Sequence, residues 1–127
     1  MAHKSHYFVF GGHTATGVVN EMWAFSMTTM KWAELTPSGS PPARFGHVAT
    51  VSGSKAYFFG GATTNGGAFS DLWRYDLDYN TFTEEKPVAG PSKKADSSLV
   101  AYNSQLISFA GIGASTYYND LHSVAVY

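Results

Sequence analysis

Two stretches decide the reading of this chain: Tyr7-Phe8-Val9-Phe10-Gly11-Gly12 and Tyr57-Phe58-Phe59-Gly60-Gly61. Each is an apolar, aromatic run that stops at two glycines. Gly12 and Gly61 lie 49 positions apart, and a weaker third copy, Ile107-Ser108-Phe109-Ala110-Gly111, follows 50 positions later. The same step links Glu21-Met22-Trp23, Asp71-Leu72-Trp73 and Asp120-Leu121-His122, and it links Trp32 with Phe82. A fixed period of this size is the mark of a repeat architecture.

The central repeat shows the internal grammar. Two short apolar runs, 47–51 and 55–59, flank the turn Ser52-Gly53-Ser54, and the second ends at Gly60-Gly61. A polar, glycine-rich segment, 62–70, precedes a partly alternating run from Asp71 to Leu77. The turn Asp78-Tyr79-Asn80 then leads to a fourth run centred on Phe82. Four short strands joined by turn residues make an antiparallel meander. Such a meander, repeated every 40–50 residues, is one blade of a β-propeller.

Composition agrees. Aromatic residues make up 16% of the 127 positions, glycines number 13, and only 13% of residues are charged, against about a quarter in a typical domain. This mixture favours short strands and tight turns over helices. A formal charge of −1 without a basic stripe argues against nucleic acid as a partner. The absence of cysteine excludes disulfides, thiolate metal sites and cysteine nucleophiles. No apolar run approaches the length of a membrane span, and MAHKSHYFVFGG lacks a signal-peptide core. The expectation is a soluble, cytoplasmic (intracellular) protein.

The ordered set Pro42-Ala43-Arg44-Phe45-Gly46-His47, Tyr57-Phe58-Phe59-Gly60-Gly61, Asp71-Leu72-Trp73-Arg74-Tyr75 and Phe82 resembles the kelch repeat. The resemblance runs over nearly the whole chain. It implies an all-β fold of kelch-type β-propeller blades, a partial ring of about three, at 7–35, 44–85 and 97–127. Within it Gly11, Gly12, Gly60, Gly61 and Gly111 stand where backbones crowd. Trp23, Trp73, Trp32 and Phe82 are expected to pack between sheets, and His47 to act as a structural hydrogen-bonding residue. The departures fall mainly at the end: Lys94-Ala95-Asp96-Ser97 replaces Arg-x-Gly-His, His122 replaces a tryptophan and Ala110 replaces a glycine.

The strand count read from the sequence is three, four and three, with the first blade entered at its second strand. Three incomplete blades do not close a ring, so the two aromatic faces are expected to be covered by further blades of a longer protein, by a second copy or by another chain. The kelch resemblance implies a non-catalytic protein–protein interaction scaffold. The long connections between strands two and three (13–20, 62–70, 112–119) and strands four and one (36–44, 86–96) are its expected binding loops. Expected partner-binding residues are His13, Arg44, Asn65, Phe69, Tyr117 and Tyr118, although for Arg44 the favoured reading is a structural pair with Asp71 or Asp120. The alternative is part of a sugar-processing propeller enzyme of the mutarotase or specifier type. No catalytic residue, metal site or cofactor is legible: no His/Asp/Glu spacing matches a metal site, and the crosslink of galactose-oxidase-like rings needs a cysteine.

Overall fold

The computed structural model describes residues 1–86, 95–113 and 117–125. These residues form three antiparallel sheets and no helix. The first contains β1 (Ala2–His3), β2 (His6–Thr14), β3 (Gly17–Ser26) and β4 (Lys31–Leu35). The second contains β5 (Val48–Ser52), β6 (Lys55–Phe59), β7 (Leu72–Asp76) and β8 (Thr81–Glu85). The third contains β9 (Ser98–Tyr102), β10 (Gln105–Ile112) and β11 (Tyr117–Ala125). In each sheet the strands pair in chain order, as a meander requires. The first sheet departs from the sequence reading, because Ala2 pairs with Tyr7 and His3 with His6 to add a two-residue first strand.

The middle sheet is apolar on both faces and is covered on both. Its upstream face carries Ala56, Phe58, Tyr75 and Phe82, which pack with Phe8, Phe10, Met22 and Ala24 of the first sheet. Phe10 is the hub, with ring centroids 5.4 Å from Phe58 and 5.2 Å from Phe82. Its downstream face carries Tyr57, Phe59 and Leu72, which pack with Leu106, Leu99, Ala101 and Val124 of the third sheet. Strand alternation explains the split: Phe58 and its neighbours Tyr57 and Phe59 point to opposite sides.

The double glycines behave differently from the expected strand end. β6 does stop at Phe59. β2, however, passes through Gly11-Gly12 as a bulge, with the register shifting between Phe10 and Gly12, and continues to Thr14. β10 does the same between Phe109 and Gly111. An added residue on one strand bends it without ending the ladder. The branched Val18 and Val19 then pair with His13 and Gly12, so the hairpin runs on. Thr14 Oγ1 donates to the Gly17 carbonyl at 2.9 Å and closes a tight turn. Residues 13–20 are therefore mostly strand. On the same grounds Ile112 and Tyr117–Asn119 belong to β10 and β11, whereas 62–70 stays a loop.

The first position of each glycine pair, or its counterpart, repeats in backbone angle. Gly11, Gly60 and Ala110 have φ of 64°, 67° and 59°. A Cβ on Gly11 would lie 2.7 Å from the Arg44 carbonyl oxygen. Ala110 adopts the same left-handed conformation with a Cβ, which costs about 1 kcal/mol. Ala110→Gly is accordingly expected to raise the unfolding free energy, measured by chemical denaturation, by about 0.5–1 kcal/mol. Gly11→Ala is expected to lower it by about 2 kcal/mol or more, since strain and the carbonyl clash add.

Candidate functional site

The segment Arg44–His47 lies where the three sheets meet. The Arg44 carbonyl accepts from Gly12 N–H at 2.8 Å, and its own N–H donates to the Val19 carbonyl at 3.3 Å, both in the first sheet. Phe45 and Ala62 exchange backbone hydrogen bonds beside the middle sheet, and Asp96 N–H donates to the Gly46 carbonyl at 2.7 Å, just before β9. The Arg44 side chain is fully buried. Its guanidinium forms a forked pair with Asp71, Nη1 to Oδ1 at 2.6 Å and Nη2 to Oδ2 at 2.7 Å. Nη1 also donates to the Gly60 carbonyl and Nε to the Pro42 carbonyl. The ring of Phe69 lies 4.0 Å from Arg44 Cζ, a cation–π contact.

Asp71 is thereby a fixed acceptor. Trp73 Nε1 donates to its Oδ2 at 2.7 Å. Burial works to raise the Asp71 pKa, but hydrogen bonds from Arg44 and Trp73 and the guanidinium charge outweigh it, holding the carboxyl below its usual value. The motif recurs in reduced form. In the first sheet Trp23 Nε1 donates to Glu21 at 3.0 Å, and in the third His122 Nε2 meets Asp120 at 2.6 Å. The acid two residues before the aromatic thus orients the third strand in every sheet. The counterpart of Arg44 in the third repeat, Lys94, lies outside the described residues.

His47 wedges between the first two sheets, with its ring centroid 5.5 Å from Phe10 and 5.8 Å from Phe58. It is hydrogen-bonded to the Phe10 backbone. Burial, helped by the Arg44 charge, lowers its pKa from 6.5 to about 4.

The expected binding residues separate into two groups. Arg44 is closed off and cannot reach a partner's carboxylate, because its fork is occupied by Asp71 from the start of the third strand. Phe69 is packed on that guanidinium, so it belongs to the same internal cluster. Tyr117 and Tyr118 are on β11 rather than in a loop, paired with Ile112 and Gly111, because the third-sheet hairpin continues past its bulge. Tyr117 is nonetheless highly exposed. His13, on β2, is exposed and stacks on Phe45 at 5.5 Å. Asn65 is exposed in the loop after Gly61. Sequence reasoning missed Phe45, although its place inside the Pro42–His47 motif marks it as fixed in position.

Of the expected plates, Phe82 is buried and Trp73 is half-buried on the upstream face of the middle sheet. Trp32 departs from expectation: it leans on Phe25 at 5.1 Å and is 54% exposed, because no sheet among the described residues covers that side. Among the described residues no group of three or more His, Asp or Glu is arranged to hold a metal ion.

The family model of the KLHDC2/KLHL20/DRC7 Kelch-repeats domain matches residues 1–126. The chain belongs to the kelch-repeat family. It is similar to the leucine-zipper-like transcriptional regulator 1 homolog of Drosophila melanogaster, with 28% identity over 130 residues that cover 95% of this chain and 13% of that protein. It is 37% identical over 75 residues to kelch domain-containing protein 2 of Bos taurus, covering 58% of this chain and 18% of that protein. Kelch domain-containing protein 3 of Bos taurus is 39% identical over 79 residues, covering 60% of this chain and 21% of that protein. The kelch chain described here thus spans about a fifth or less of these relatives. Kelch domains are in general protein-interaction modules.

Two outcomes follow from the buried charge and the wedged imidazole. Asp71→Asn leaves a buried guanidinium without its counter-charge, so it is expected to cost about 3–5 kcal/mol in urea denaturation; a loss under about 1 kcal/mol would show the pair to be dispensable. His47 binds a proton more readily unfolded than folded, so its contribution is complete above pH 6.5 and is lost as pH falls to about 4. The loss is on the order of 3 kcal/mol. In His47→Gln the stability curve should flatten over that window, measured by denaturant midpoint against pH.

Proposed function

We propose that this kelch chain is a non-catalytic protein–protein interaction scaffold that works inside the cell. It engages partners along the sheet edge where second strands lead into third strands. The observation that carries this reading is the contrast between the two edges of the sheets. At one edge, 62–70 forms an open loop, with exposed His13, Asn65 and Tyr117 and the half-buried Phe45 beneath His13. The opposite edge has only short turns, at Lys4-Ser5, Met27–Met30, Gly53-Ser54, Leu77–Asn80 and Asn103-Ser104. Side chains carried on a rigid ladder lose little entropy on binding, and an aromatic flanked by polar groups is a usual anchor. The sheets can hold such side chains still because the Arg44 cluster locks the neighbouring backbone.

The test uses immobilised chain and a partner it captures. The combined substitution His13→Ala, Asn65→Ala and Tyr117→Ala is expected to weaken that capture at least tenfold while leaving the thermal midpoint within about 2 °C. Tyr79→Ala, at the opposite edge, is expected to leave both unchanged. Undiminished capture by the triple variant would refute this surface.

A further inference from the structure

The first and middle sheets do not close on each other along their whole depth. Near the short-turn edge a cleft of about 400 Å³ remains between them. Both walls belong to this chain, so the cleft does not depend on what covers the outer sheets. Strand pairing lays out the first wall in rows, because paired residues share a face. Phe8, Ala24 and Ala33 form one row, and His6, Ser26 and Lys31 form the next, nearest the turns. Tyr75, Leu77 and Asn80 line the cleft from the middle sheet and the turn that follows β7.

The repeat shows what is particular to this place. One step later the same two rows read Tyr57, Arg74, Thr83 and Lys55, Asp76, Thr81. A cavity of about 330 Å³ lies against these residues too, but its charges are answered within the sheet. Arg74 Nε is 3.2 Å from Glu85 Oε1, and Lys55 is paired with Asp76. In the first repeat Ala24 stands for Arg74 and Ala33 for Thr83, so the wall turns apolar. Ser26 stands for Asp76 and Leu35 for Glu85, so both acids are gone. Cationic and donor groups remain in Lys31 and His6. Neither has a carboxylate partner among the described residues, and no residue lining the cleft is acidic. Asp78, in the facing turn, is already engaged by Lys4 at 2.7 Å.

We propose that this cleft binds a small carboxylate on an apolar body, an aryl or branched alkyl acid. The body lies on Phe8, Ala24 and Ala33 against Tyr75 and Leu77, and the carboxylate meets Lys31 and His6 at the mouth. Asn80 supplies a further donor. Its Oδ1 accepts from the Tyr75 hydroxyl at 2.7 Å, which leaves its Nδ2 without a partner among the described residues. Burial, with the Asp76 charge, pushes the Tyr75 pKa up to about 12, so the phenol stays protonated and keeps donating. Small-molecule sites occupy clefts of roughly 300–1,000 Å³ that are mostly apolar with a few convergent polar groups. A carboxylate also gains charge-assisted hydrogen bonds that a neutral ligand lacks. The cleft lies at the opposite edge from the loop at 62–70 and takes a different kind of ligand, so it and the scaffold surface fail separately.

Phenylbutyrate, phenylbutanol and phenylbutylamine test the charge, since they share one apolar body and differ at its end. Amide shifts of the 127-residue chain are followed by NMR during titration. Phenylbutyrate is expected to bind with a Kd of about 1 mM or tighter, moving amides within 24–35 and 75–80. The alcohol is expected to bind about tenfold more weakly, and the amine and plain acetate not measurably. Lys31→Glu is expected to weaken phenylbutyrate by at least about tenfold and to leave the alcohol unchanged. Ala33→Leu, which fills the cleft, is expected to weaken both. Far-UV circular dichroism and the urea midpoint are expected to stay unchanged in each variant, and Lys31→Gln gives the same reading in a milder form. Equal binding of acid and amine would overturn the proposal. So would shifts confined to the bared faces of the outer sheets, or no shifts with millimolar phenylbutyrate. A null result alongside intact partner capture through His13, Asn65 and Tyr117 would sink the cleft and leave the scaffold reading standing.

Discussion

The forked pair between Arg44 and Asp71 is the interaction on which the rest of this molecule depends. A guanidinium with no solvent exposure is tolerable only when its charge and its donors are all answered. Asp71 answers the charge, the Gly60 and Pro42 carbonyls take further donors, and Phe69 covers the flat side. Because Arg44 also bonds through its backbone to Gly12 and Val19, one residue joins the first sheet to the middle one. Phe45 and Gly46 extend the same segment to Ala62 and Asp96. The connection between the first two sheets is thus the organising strut rather than a passive linker.

That strut fixes the backbone; burial of aromatic rings supplies much of the cohesion. Phe10, Phe58, Phe82 and Tyr75 form tilted and edge-on contacts in which Phe82 touches the other three rings. The geometry suits the ring quadrupole and fills the space between two twisted sheets. Gly11 is required because a Cβ there would meet the Arg44 carbonyl. The glycine and the arginine are therefore parts of one device, although 33 positions separate them in the chain. A surface built on this support can present His13, Asn65 and Tyr117 at fixed spacing.

Much of the architecture was legible because a repeat writes each instruction more than once. The period, the turns and the alternation predicted three meanders and the all-β class, and the ordered motifs pointed to kelch blades. The places where the reading departed from the structure share a cause. Gly11-Gly12 and Ala110-Gly111 look like strand ends, but the ladder resumes beyond them because Val18, Val19 and Tyr118 find partners across the hairpin. The two-residue β1 was too short to leave a pattern. Arg44 and Phe69 looked like anchors for a partner because side chains that suit an interface suit a core equally well. Only the position of Asp71 distinguishes the two.

By itself the sequence determined the repeat, the strand order within each sheet and the residues that alternate to each face. These follow from local rules: side-chain period, turn chemistry and the conformations glycine permits. The tertiary structure decided which of the repeated residues are covered. Phe82 and Trp32 hold the same place in their repeats, yet one is 4% and the other 54% exposed. No local property separates them. Burial belongs to a pair of surfaces, and Phe82 has a neighbouring sheet within the described chain where Trp32 has none.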